Sequence, residues 1–191
     1  FSTLSPQEQQ AIIDASVVEE AEAELVNEIR DDPGSAALLH QSALALPSLV
    51  QQVGTGDGFV YRLHPLLAGY AQTRLTLVPT QREALQRRAS DWFWRNQRYP
   101  DAIRLARRCR SPEELLSMLA ELPILEIFLD MGASELRAIL KEVASEHIDG
   151  TPRLQLARAL VQFKAGFHQE AEQMLARIHE RLQATASGDG G

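Results

Sequence analysis

One place in this chain joins a titratable side chain to a built-in anion site. Gly58-Phe59-Val60-Tyr61-Arg62-Leu63-His64-Pro65-Leu66-Leu67 reads as a strand running through His-Pro into an apolar helix that continues to Leu77. Backbone N–H groups at a helix mouth point outward unpaired and attract anions, so an imidazole placed there is positioned to donate to a phosphate oxygen. Two readings of His64 stand together. In one it caps the helix that Pro65 begins, its ring partly packed on the hairpin; in the other it contacts a phosphate. Arg62, on the same strand face as His64, is the second candidate.

Other chemistry-bearing residues do not assemble into sites. Gly54-Thr55-Gly56-Asp57-Gly58 has the glycines of a phosphate loop, but such loops need a helix straight afterwards, and here a strand follows. A wing tip accounts for the run better, and no Gly-x-x-x-x-Gly-Lys-Ser/Thr occurs in the chain. His168 and His179 share a helix but stand about 16 Å apart at the helical rise, with no ligand set around them, which argues against a metal. Cys109 reads as a buried structural thiol, and a single cysteine excludes an internal disulfide. No Ser–His–acid or paired-carboxylate pattern stands out, and the chain is read as non-enzymatic.

The elements that must position His64 follow from local signals. Ser5-Pro6-Gln7-Glu8 is an N-cap, a Pro at N1 and an acid in the first turn of helix one. A second helix spans about Glu20 to Arg30. After Asp31-Asp32-Pro33-Gly34, Ser35 caps a third, which Pro47 stops. The period then changes to alternation, giving strands at Leu49–Val53 and Phe59–Leu63. Three helices, a small hairpin and another helix is the order of a winged helix, assigned to residues 1–78. Thereafter everything reads as helix pairs: Thr80 to Asn96, Tyr99 to Cys109, a helix capped by Ser111, and others at about Ser134–His147, Pro152–Ala165 and His168–Ala184, with Leu122–Met131 left ambiguous. Tyr99-x-x-Ala102 is echoed by Phe167-x-x-x-Ala171, near twice the tetratricopeptide period. The expectation is a mainly α chain with a helical-repeat region over 79–185 and a flexible tail at 186–191.

Charge is segregated. Residues 1–64 carry two arginines against ten acids, residues 65–112 ten arginines against three acids, and residues 113–191 seven bases against thirteen acids. Helix three holds no Lys or Arg, only His40 and Gln41 to face bases, so counterion release has little to work with and direct nucleic-acid binding is disfavoured. The arginines from Arg82 to Arg110 read as a domain-contacting or solvated face, with the acidic first unit as the obvious neighbour. No apolar run is long enough to cross a bilayer and no signal sequence opens the chain, pointing to the cytoplasm. Without an initiator Met, and with a Gly-rich end, the chain reads as a piece of a larger protein.

The order of these signals resembles the MalT-like, ATP-dependent LuxR-family transcription regulators of the STAND class. The resembling residues are Leu4-Ser5-Pro6-x-x-Gln9, Ala15-Ser16-Val17-Val18, Ala36-Ala37-Leu38-Leu39, Tyr61-Arg62-Leu63-His64-Pro65-Leu66-Leu67, Leu85-x-x-Arg88-Ala89-x-x-Trp92-Phe93 and Pro100-Asp101-Ala102-Ile103-Arg104-x-Ala106. The resemblance implies a P-loop ATPase module upstream, a winged helix acting as a lid on the nucleotide, a helical-repeat sensor for a small-molecule or protein effector, and a C-terminal helix-turn-helix. It makes His64 the residue matching the histidine on the phosphates of bound ADP, with Pro65 where many relatives carry an acid. No cofactor would belong to this piece alone; ATP or ADP would belong to the intact protein. The alternative is a helical-repeat adaptor whose winged helix is a structural cap.

Overall fold

A computed structural model describes residues 3–55 and 58–188, and shows a mainly α chain in two compact units, Phe1–Cys109 and Arg110–Gly191. Of the expected wing tip at 54–58, Gly54, Thr55 and Gly58 belong to strands, and of the expected tail at 186–191, residues 186–188 are helical; Gly56, Asp57 and 189–191 lie outside the described residues.

In the first unit, α1 (Pro6–Ala15) opens on a complete capping box: Ser5 accepts from the Glu8 N–H, and the Glu8 carboxylate accepts from the Ser5 N–H. The chain then departs from the expected single helix over 20–30. Glu20–Glu22 forms a short strand, β1, and only Ala23–Arg30 is helical, as α2. Pairing overrides helix propensity here: β1 lies antiparallel to β3 with Glu20 opposite Arg62 and Ala21 opposite Tyr61. With α3 (Ser35–Ala45), β2 (Val50–Thr55) and β3 (Gly58–Leu63) in place, the sheet has three strands in the order β1-β3-β2, so the strand leading to His64 is central rather than half of a lone hairpin. Gly54 sits opposite Phe59, where a Cβ would meet the ring at 3.3 Å. One cluster holds this fold together, with Ile12, Val26, Leu39, Val50, Tyr61 and Leu67 among its buried members.

From β3 the chain passes into α4 (Pro65–Thr76), α5 (Pro79–Arg95) and α6 (Tyr99–Cys109). The last two pack as a helical hairpin around Leu85, Ala89, Phe93, Ala102 and Ile103, and the buried Ser90 hydroxyl donates to the Ala102 carbonyl. Leu25 and Ile29 of α2 are fully buried yet stand outside the winged-helix cluster, and α2 packs on α5. Cys109 is buried, its thiol donating to the Leu105 carbonyl at 3.3 Å.

The second unit comprises α7 (Pro112–Ala120), with a capping box from Ser111 and Glu114, then α8 (Ile124–Glu126), α9 (Ala133–Glu142), α10 (Ser145–Gly150), α11 (Pro152–Lys164) and α12 (His168–Gly188). The ambiguous 122–131 stretch resolves into α8 and a π-helical turn, Ile127–Met131. The helix expected over 134–147 is broken at Val143, whose extended backbone lets both Val143 and Ile148 be buried. Gly166, at φ 95°, makes the turn from α11 to α12, a conformation that a Cβ would disfavour. In the echo seen in the sequence, Ala102 and Ala171 are both fully buried, but Tyr99 is buried while Phe167 is half-exposed.

Candidate functional site

His64 is the N-cap of α4, and its ring does the capping itself: Nδ1 accepts from the Leu66 N–H at 3.3 Å. Pro65 contributes no N–H, and the Ala68 N–H is taken by the His64 carbonyl at 2.9 Å. Most of the outward-pointing donors expected at this mouth are therefore spent internally, and the histidine becomes its chief polar feature. An Nδ1 that accepts carries no proton, so the neutral ring holds its proton on Nε2, which remains as a donor. Of the two sequence readings, the cap is realised in the geometry, and it leaves one ring nitrogen for a ligand. Arg62 is engaged elsewhere: its guanidinium pairs with the Glu20 carboxylate directly across the β1–β3 ladder.

Beyond the cap, α4 has apolar side chains on two faces. Leu67, Ala71 and Leu75 are buried. Leu66, Tyr70 and Leu77, four and eleven residues apart, line a second face at 78%, 47% and 71% exposure. The sequence signal for this stripe is a helix apolar nearly all round, which periodicity alone reads as core.

The arginines of α5, of α6 and of the turn between them meet the acids of the 19–31 stretch. Arg95 pairs with Glu28 at 2.6 Å, Arg98 with Glu22 at 2.5 Å, and Arg88 with Asp31 at 3.8 Å while also donating to the Ile29 carbonyl. Arg104 reaches Glu19 at 3.8 Å and shares Asp101 with Arg98, whose guanidinium lies 4.5 Å from the Phe93 ring centroid. The domain-contacting reading of this face matches the geometry. Such half-exposed pairs contribute little individually and act chiefly to set register.

One deeper pair was not anticipated. Asp14, 5% exposed, pairs with Arg30 at 2.5 Å and accepts further hydrogen bonds from Gln10 and Gln81, joining α1 to α2 and to α5. Burial holds its carboxyl above the ordinary value, against the opposing effects of the Gln10 hydrogen bond, the Arg30 charge and hydrogen bond, and the Gln81 hydrogen bond. Residues 14, 30 and 81 carry no common sequence motif, so only the fold brings them together.

Residues 1–87 match the family model of the MalT winged helix domain. The first unit contains a MalT-like winged helix. No curated protein matches the chain, and no solved structure does. The match runs past α4 into the middle of α5, so the MalT-like segment includes His64, the exposed stripe of α4, and Arg82. Among the described residues there is no group of three or more His, Cys, Asp or Glu arranged to hold a metal, and no helix long and apolar enough to cross a membrane.

Proposed function

We propose that this chain is the central regulatory piece of a MalT-like, ATP-dependent LuxR-family activator of the STAND class. In this reading a P-loop module upstream holds ADP, and the winged helix closes over it as a lid. His64 donates from Nε2 to a phosphate oxygen, and Leu66, Tyr70 and Leu77 dock on the ATPase module beside it. The helices of the second unit belong to the effector sensor, and DNA is read by a helix-turn-helix elsewhere in the intact, cytoplasmic protein. Effector binding shifts the population from the closed, ADP-bound form to an open one. The observation that carries the reading is the His64 cap within a MalT-like winged helix: Nδ1 fixed on the Leu66 N–H pre-orients the ring with a donor to spare. Arg62 has a smaller place in it, as the partner of Glu20 that steadies the central strand.

The test uses the full-length protein. His64→Ala should release ADP faster and raise basal transcription; unchanged retention together with unchanged basal activity would remove the role assigned to His64. Leu77→Asp, which places a charge on the docking stripe at the far end of α4 from His64, should raise basal activity as well.

The adaptor reading draws on a different observation, the ionic seam between the winged helix and α5–α6, which a purely structural cap would also need. The flanking gene sequence separates the two. A P-loop upstream and a helix-turn-helix downstream fit the regulator, and neither fits the adaptor.

A further inference from the structure

A second cleft lies at the other end of α4, about 18 Å from His64 at the helical rise. It encloses about 440 Å³ between Thr76, at the end of α4, Pro79, Arg82, Glu83 and Gln86 of α5, and Arg108 in the last turn of α6. A small adjoining hollow of about 50 Å³ shares Arg82, Gln86 and Arg108, and extends to Ser16 and Gln72.

Three features of its lining are unusual for this unit. Most of the arginines of α5 and α6 are engaged with carboxylates or carbonyls, but Arg82 and Arg108 have no ion-pair or side-chain hydrogen-bond partner among the described residues. Both residues line the cleft, and like charges sharing one cleft repel each other, a repulsion that an anion between them would relieve. Gln86 is 4% exposed with no side-chain hydrogen-bond partner among the described residues, and its amide atoms are not fully buried, so they keep a small surface at the cleft that it lines. Finally, α5 starts at this cleft with Val78 as its N-cap, which offers no side-chain acceptor to the first-turn N–H groups. The opposing charge is Glu83, at 3.6 Å from Arg87.

We infer that this cleft binds the doubly charged oxyanion of a small metabolite, held by the guanidiniums of Arg82 and Arg108 and the amide of Gln86. The guanidinium fork suits tetrahedral phosphate and planar carboxylate alike, and each offers an acceptor to the Gln86 amide N–H. Occupancy would tie the α4–α5 junction to the last turn of α6, bracing the winged helix against its first helical pair. The inference is independent of the nucleotide reading for His64.

The test is thermal unfolding of the 191-residue chain in titrations with inorganic phosphate, with succinate and with chloride at matched ionic strength. Phosphate or succinate should raise Tm saturably beyond chloride, the stronger of the two identifying the source of the charge. Arg82→Gln and Arg108→Gln should each weaken that response roughly tenfold. Glu83→Gln should tighten it, because it removes the opposing carboxylate. Amide NMR gives a reading that does not rest on stability: the Gln86 side-chain resonances should shift with phosphate or succinate and not with chloride. No response above chloride, or a response unchanged in both arginine variants, would overturn the site.

Discussion

Arg30→Met should destabilise the first unit by about 3–5 kcal/mol near neutral pH, because it leaves a buried carboxylate without its counter-charge. The Asp14 side chain is 7% exposed and that of Arg30 15%, so water cannot replace the lost partner. Gln10 and Gln81 would still donate, but neutral donors do not offset a full charge. The sign of the pH dependence follows from the raised position of the Asp14 carboxyl. A carboxyl raised in the folded state contributes stability that is fully present below its unfolded pKa and is lost as the pH rises through its folded pKa. Removing Arg30 raises that folded value further. The gap between variant and wild type should therefore be widest near pH 7 and narrow by about pH 5. Urea denaturation at the two pH values measures it. An equal loss at both would show that packing, not charge, is what Arg30 supplies. Asp14→Asn in the Arg30→Met background should restore more than half of the loss.

The second large effect concerns where the first folding unit ends. A fragment of residues 1–109 should unfold in one cooperative transition, while a fragment of residues 1–78 should be only marginally folded. The winged-helix cluster is complete within the shorter piece, but Leu25 and Ile29 would lose their cover from α5. Exposing two fully buried aliphatic side chains costs about 3–6 kcal/mol, a large part of the total stability of a small domain. The Gln81–Asp14 hydrogen bond and the pairs made by Arg88, Arg95, Arg98 and Arg104 would go too. Circular dichroism with urea titration of both fragments decides it. Equal midpoints would mean that α5 and α6 contribute nothing to the winged helix. Ile29→Ala in the longer fragment should reproduce about 2–4 kcal/mol of the difference by leaving a cavity.

Much of the fold was legible because its signals are local. Ser5-Pro6-Gln7-Glu8 and Ser111-Pro112-Glu113-Glu114 both form the capping boxes that their spacing announces, and His64-Pro65 begins a helix because Pro fixes the first-turn φ and needs no donor there. The hairpin strands also follow from the alternation at 49–53 and 59–63, which the ladder extends to Thr55 and Gly58. The Glu20–Glu22 strand was not legible. Its residues favour helix, and only the unpaired edge of β3 makes an extended conformation worth adopting. Val143 shows the same rule in the second unit, where burial breaks a helix that periodicity would continue.

The candidate site divides the same way. By itself the sequence determined that a histidine stands at the mouth of α4, that residues 1–64 are acidic, and that the arginines after them need partners, because each of these depends only on residue type and spacing. Tertiary structure decided the rest. It spent the α4 mouth on a self-cap and left Nε2 as the donor, and it drew Arg62 to Glu20 and the α5–α6 arginines to the 19–31 acids. Among the described residues it also left Arg82, Arg108 and Gln86 without side-chain partners around one cleft. Those outcomes depend on which groups meet across tens of residues of intervening chain, and hydrogen bonds and ion pairs act only over a few ångströms.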